Sequence, residues 1–147
     1  MSLQNLVRSG MVTPQTAKRK EIRALLAAVR RNLRDARLPG LSAEGRFGLA
    51  CQAVMQCALV ALRAHGLALA AGRPGCHAAL IQSLPLTVGT ANDRTVVLDG
   101  LWKLRNSSDY SGAPIASELV DASLRAAADL ENDVRGWLAR HRSEYFA

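Results

Sequence analysis

Apolar residues return at helical spacing through most of the chain. Ile22, Leu25, Leu26, Val29 and Leu33 fall at i, i+3, i+4, i+7 and i+11, a single stripe on a helix, and Leu38-Pro39-Gly40 stops it. The spacing predicts a first helix from about Thr16. Ser42 is an N-cap for a second helix from Ala43 to His65, ending at Gly66. Phe47, Ala50, Val54, Cys57, Ala58 and Ala61 form its main face, and most other positions are apolar too. It reads as the central, nearly enclosed helix, with Gln52, Gln56 and Arg63 as a narrow polar strip open to a partner subunit. Small residues from Ala70 to Gly75 lead to a third helix, Cys76 to Leu86, with Ala79, Leu80 and Leu84 inward. Gly89 breaks the chain, Thr90 or Asn92 caps, and Val96, Val97, Leu101 and Leu104 carry a fourth helix. The β-branched pair Val96-Val97 would also suit a strand, but no second strand is evident to pair with it. A last helix runs from Ser117 to about His141, with Val120, Leu124, Ala127, Val134, Leu138 and His141 close to one face.

Five helices with short connections predict an all-α fold, an antiparallel helical bundle over residues 16–142 with a core of about four helices. Residues 1–15 read as an N-terminal arm in which Leu3, Leu6 and Val7 can dock as a turn, and 143–147 as a C-terminal tail. Length and composition agree: 147 residues, 49% hydrophobic and 4% aromatic, suit one domain with a core of small and aliphatic side chains.

Charge adds a direction. The formal net charge is +7, and up to Gly40 nine Lys or Arg stand against Glu21 and Asp35, while the rest of the chain is balanced. Lys20, Arg23, Arg30, Arg31, Arg34 and Arg37 gather on one flank of the first helix. Such a flank is either a solvated face or a phosphate surface for nucleic acid. Arg23, Arg30, Arg34 and Arg37 are the candidates for that surface, although no aromatic residue interleaves with them. The cysteines Cys51, Cys57 and Cys76 are odd in number and lack a CxxC pair, which points to a reducing cytoplasm rather than disulfides or zinc. No signal-peptide pattern opens the chain, and the uncharged stretch between Arg46 and Arg63 is short of a membrane span. A cytoplasmic protein without membrane contact, metal or cofactor is the expectation.

The chemistry-bearing stretch is Trp102-Lys103-Leu104-Arg105-Asn106-Ser107-Ser108-Asp109-Tyr110, which reads as the end of the fourth helix. Arginine offers a planar fork of donors suited to a phosphate. Asn106 can bond a phosphate or fix the arginine, and Asp109 can orient it or compete for it. Tyr110 offers a hydroxyl, but a phenol titrating near ~10 is a poor base at neutral pH. The bland alternative is an Arg-Asp pair closing the helix over a packed tyrosine. His77, at the start of the third helix, reads as a cap or surface residue with catalysis as the sharper alternative.

Arg105-Asn106 resembles the first half of the motif of HEPN-domain proteins, in which an arginine is followed by a polar residue and then a histidine after four to six positions. Arg46-Phe47-Gly48-Leu49-Ala50-Cys51-Gln52-Ala53, Gly75-Cys76-His77 and Gln82-Ser83-Leu84-Pro85-Leu86 are similar to a branch of small bacterial HEPN proteins whose motif ends in Asp-Tyr or Glu-Tyr. The likeness spans about Thr16 to Leu138. It implies a bundle paired as a two-fold dimer with two motifs in one cleft, and metal-independent RNA cleavage in active members. There the arginine steadies the scissile phosphate and the histidine moves the proton of the 2′-hydroxyl. It also implies a toxin–antitoxin or defence setting, often beside a nucleotidyltransferase.

This chain departs at the decisive place: the three positions open to the motif histidine hold Tyr110, Ser111 and Gly112. The expectation is therefore a homodimer that binds RNA or a nucleotide-bearing partner around Arg105, Asn106 and Tyr110 with little or no nuclease activity. Two alternatives stand beside it. One is a ribonuclease in which Tyr110 or His77 replaces the lost group. The other is an interaction or antitoxin module with a nucleotidyltransferase-type partner.

Overall fold

The computed structural model describes residues 1–146, apart from the side chains of Asp109 and Tyr110. Its order is α1 (Leu3–Arg8), β1 (Val12–Pro14), α2 (Arg19–Asp35), α3 (Ala43–Ala64), β2 (Leu67–Leu69), α4 (Cys76–Gln82), α5 (Leu84–Thr87), α6 (Asn92–Ser111), α7 (Ser117–His141) and a closing 3-10 turn at Ser143–Tyr145. The bundle is predominantly helical, as the periodicity predicts, with four long helices.

Ser42 starts α3 as expected, its side chain accepting from the Gly45 N–H at 3.0 Å. Ala50, Ala53, Ala58 and Ala61 are all fully buried along it. These small side chains let α2 and α7 lie along most of its length. From α2 come Ile22, Leu26, Val29 and Leu33, and from α7 Val120, Ala127, Leu130, Val134 and Leu138. At roughly 1.5–3 kcal/mol for each large aliphatic side chain buried, this three-helix seam dominates the cohesion of the fold. By length and composition α3 could cross a membrane, but most of it is enclosed by protein.

Four differences from the sequence reading matter. First, residues 1–15 form α1 and β1, with Leu6 and Val12 in the core, and β1 pairs antiparallel with β2 in the register Val12↔Leu69 and Pro14↔Leu67. The chain can reverse into β2 because Gly66, at φ +74°, takes the left-handed conformation after α3. Second, Arg63 faces no partner subunit: it is 5% exposed and all its donors are used inside the chain. Nε and Nη2 donate to the two carboxylate oxygens of Glu21 at 2.5 and 3.0 Å, Nη1 to Gln15 O and Leu67 O at 2.7 and 3.0 Å, and Nη2 to Thr16 O at 3.3 Å. This one guanidinium ties α2, α3, β2 and the entry to α2 together. Gln56, of the same strip, accepts from Asn32 at 2.9 Å, which leaves Gln52 exposed.

Third, the third helix is broken in two, α4 and α5, at Ser83, with Pro85 near the start of the second piece. Fourth, α6 turns a different face inward. Thr95, Leu98 and Leu101 are buried, whereas Val96, Val97 and Leu104 are 70%, 56% and 39% exposed. With Gly100, those three form an apolar stripe along the outside of the helix.

Burial also separates the thiols. Cys51 and Cys57 are buried and Cys76 is partly exposed. Desolvation, with a further contribution from Glu131, pushes the Cys57 thiol far up from its ordinary range. One thiol, Cys76, should therefore react rapidly with a disulfide reagent in the native protein and all three after denaturation. Rapid labelling of Cys57 in the native state, located by peptide mass, would contradict this packing.

Candidate nucleic-acid interface

Two basic surfaces come out of the fold. The first centres on Arg105. The stretch from Trp102 to Tyr110 is the end of a helix, as expected: α6 runs through it to Ser111, and Gly112 closes it in the left-handed conformation at φ +71° with its N–H donating to Ser108 O at 2.9 Å. Arg105 sits one turn beyond Trp102, with its guanidinium carbon 5.1 Å from the centre of that ring. Below it is Gly48 of α3: a Cβ built there would lie 3.9 Å from Arg105 Nε. The helix surface is thus bare where the arginine stem crosses it. Nε is buried without a hydrogen-bond partner, while the residue as a whole stays partly exposed. No described carboxylate pairs with it. Asn106 is exposed beside it. Asp109 and Tyr110, which sequence reasoning placed in this site, have side chains outside the described residues.

His77 is brought into this neighbourhood although it is far off in sequence. It stands exposed at the start of α4, its ring 5.5 Å from that of Trp102. His77, Trp102 and Arg105 therefore form one cluster across α4 and α6. Trp102 is the member that sequence reasoning passed over, as part of an apolar approach. Its signal was available: an aromatic three residues before an arginine on a helix places ring and cation on one face.

The second surface is the groove between α2 and α7. One shallow cavity of about 260 Å³ is lined by Arg23, Arg30, Arg135 and Phe146 among others. The next, of about 460 Å³, is lined by Arg30, Arg34, Arg37 and Glu131. Arg30 is common to both, so the four arginines are spread over two adjoining cavities. Not all are unengaged: Arg30 lies 3.5 Å from Glu131, Arg34 lies 3.7 Å from Asp35, and Arg37 donates to Leu33 O at 3.2 Å. The pairs are largely exposed on the arginine side, so they hold the cations only loosely. The sequence shows no aromatic among these arginines on α2, and the fold brings one from elsewhere. The 3-10 turn after α7 packs on α2 and brings Phe146, 41% exposed, into the groove beside Arg23 and Arg30.

The start of α3 lies close both to the end of α2 and to Arg105. Arg46, in the first turn of α3, donates from Nε to Ala36 O at 2.7 Å just beyond α2, and Gly48 two residues on supports Arg105. The other two histidines are elsewhere: His65 and His141 flank Trp137 with ring centres 4.8 Å away on each side, and the ring nitrogen Nε2 of His65 is 2.8 Å from Thr87 O. Among the described residues no group of three His, Cys, Asp or Glu is placed to hold a metal ion.

No protein-family model, curated protein or solved structure matches this chain.

Proposed function

We propose that this chain is a HEPN-like helical protein that binds RNA at the surface around Arg105, as a homodimer with little or no nuclease activity. The carrying observation is the state of Arg105: its guanidinium beside the Trp102 ring, room left for it by Gly48, partly exposed, and without a described carboxylate partner. A cation resting beside a ring, with donors left unpaired among the described residues, is placed to receive a phosphate. The basic α2–α7 groove approaches the same end of the bundle. The exposed Val96, Val97 and Leu104 on the same helix favour the dimer, since such a stripe is the kind of surface that a second subunit covers. The resemblance in the sequence adds a toxin–antitoxin or defence setting.

The test is binding of a fluorescent single-stranded RNA across a salt titration. Arg105→Ala should weaken binding by about tenfold or more, as expected for one charge-assisted contact. Equal affinity of variant and parent at every salt concentration would remove Arg105 from the site. Co-purification of a nucleotidyltransferase-type protein without nucleic acid, with no salt-dependent RNA binding, would favour the interaction-module reading instead.

The cluster of His77 with Trp102 favours a second reading, a metal-independent ribonuclease in which His77 moves the proton. It requires cleavage in EDTA that both His77→Ala and Arg105→Ala abolish. A verified dimer that cleaves none of a varied set of RNAs would dismiss it.

A further inference from the structure

At the far end of α6 from Arg105, roughly 17 Å away at 1.5 Å per residue, lies a cavity of about 340 Å³ between the α5–α6 loop and α7. Its lining is polar. Thr90 and Ala91 form the floor at the start of α6, Arg94 follows in the first turn, and Asp133, Gly136 and Arg140 come from α7. Ala91 occupies the N-cap and has no side chain able to cap; Asp93 in the first turn accepts from the Arg94 N–H at 2.9 Å, which leaves the N–H groups of Asn92 and Asp93 at the helix start. Thr90 is 4% exposed, and its hydroxyl is buried without a hydrogen-bond partner. A buried, unpaired hydroxyl costs stability unless something completes it.

The charges point the same way. Arg94 is paired with Asp133 across α6 and α7. Arg140 has no ion pair among the described residues, and its guanidinium lies folded back along α7 over Gly136, where a Cβ would come within 3.2 Å of Nη1. Glycine at 136 leaves the space that this arginine occupies beside the cavity. Within the lining, two arginines against one carboxylate leave a net positive charge, beside two N–H groups of the helix start and the unpaired Thr90 hydroxyl. An anion with several acceptor oxygens matches that set of donors.

The geometry points to this cavity as a binding site for a phosphate monoester, either free phosphate or the terminal phosphate of a nucleotide. It is separate from the Arg105 surface and does not depend on the RNA-binding reading. The test is a titration of isotopically labelled protein with inorganic phosphate, adenosine 5′-monophosphate and adenosine at constant ionic strength, read from backbone amide shifts. The amides from Thr90 to Arg94 should move and saturate with both phosphates and stay still with adenosine. Arg140→Gln should weaken binding at least tenfold, and Thr90→Val severalfold, in variants whose thermal melts confirm folding. Equal affinity for phosphate and the mononucleotide assigns the site to free phosphate, and tighter mononucleotide binding assigns it to a nucleotide. Absence of saturable shifts at these amides, an equal response to adenosine, or unchanged binding by Arg140→Gln would overturn the assignment.

Discussion

Replacing Arg63 by methionine lowers the melting temperature by roughly 10 °C, because the substitution strands every group that the guanidinium now satisfies. The Glu21 side chain is 38% exposed, so the loss falls short of a fully buried pair and comes to about 3 kcal/mol with the stranded carbonyls included, and each kcal/mol moves the midpoint of a domain this size by several degrees. Glu21 would keep its charge without its main partner, and Gln15 O and Leu67 O would lose their donor. Lysine at 63 supplies a point charge but cannot reach all these acceptors, so Arg63→Lys should fall between methionine and the parent. The pair also has a pH signature. Hydrogen bonding to Arg63 holds the Glu21 carboxyl below its ordinary value, against some desolvation. Its contribution is therefore complete above the ordinary carboxylate range and is lost as the pH falls through the depressed value. Glu21→Gln should flatten that part of the acid limb of the melting curve. A methionine variant melting within about 2 °C of the parent would show that the network is not a keystone.

The second large effect concerns the α2–α7 groove. Removing three charges together, in Arg23→Gln, Arg30→Gln and Arg34→Gln, should make the slope of log affinity for single-stranded RNA against log salt shallower by roughly 2, at about 0.7 per phosphate contact. The same relation gives a loss on the order of 100-fold near 0.1 M salt. The fold should survive, because all three side chains are exposed and two hold only surface ion pairs. Arg37 is left in place since it also donates to Leu33 O at the end of the helix. An unchanged salt slope in the triple variant would return this flank to the role of a solvated face.

How much of this could be read from the sequence depends on where each signal resides. The stripe from Ile22 to Leu33, the Ser42 cap and the alanine-rich α3 are local patterns, and they fold as they read. Arg63 was misplaced because a buried arginine and a surface arginine are the same letter. Only Glu21 and three carbonyls arriving from elsewhere make burial tolerable. Val96, Val97, Leu101 and Leu104 mark a helix by their hydrophobicity, but that alone does not say which face turns inward, and the buried face of α6 is set by Leu98 and Leu101. The small sheet was missed because strands of three residues are too short to show alternation. At the candidate site, Arg105 and Asn106 were legible as phosphate-type residues, but their company was not. His77 reaches Trp102, and Phe146 reaches the arginines of α2, only through tertiary packing.

The burial of α3 has a consequence for the order in which the protein is made. The helix is complete at Ala64, yet α7, which covers much of it, begins only at Ser117. While a ribosome is still producing the intervening segments, the growing chain carries a 22-residue apolar helix wide open on the side that α7 will close. In that interval, the requirement on the cell is to keep the emerging polypeptide from self-association and from insertion machinery until its last long helix arrives.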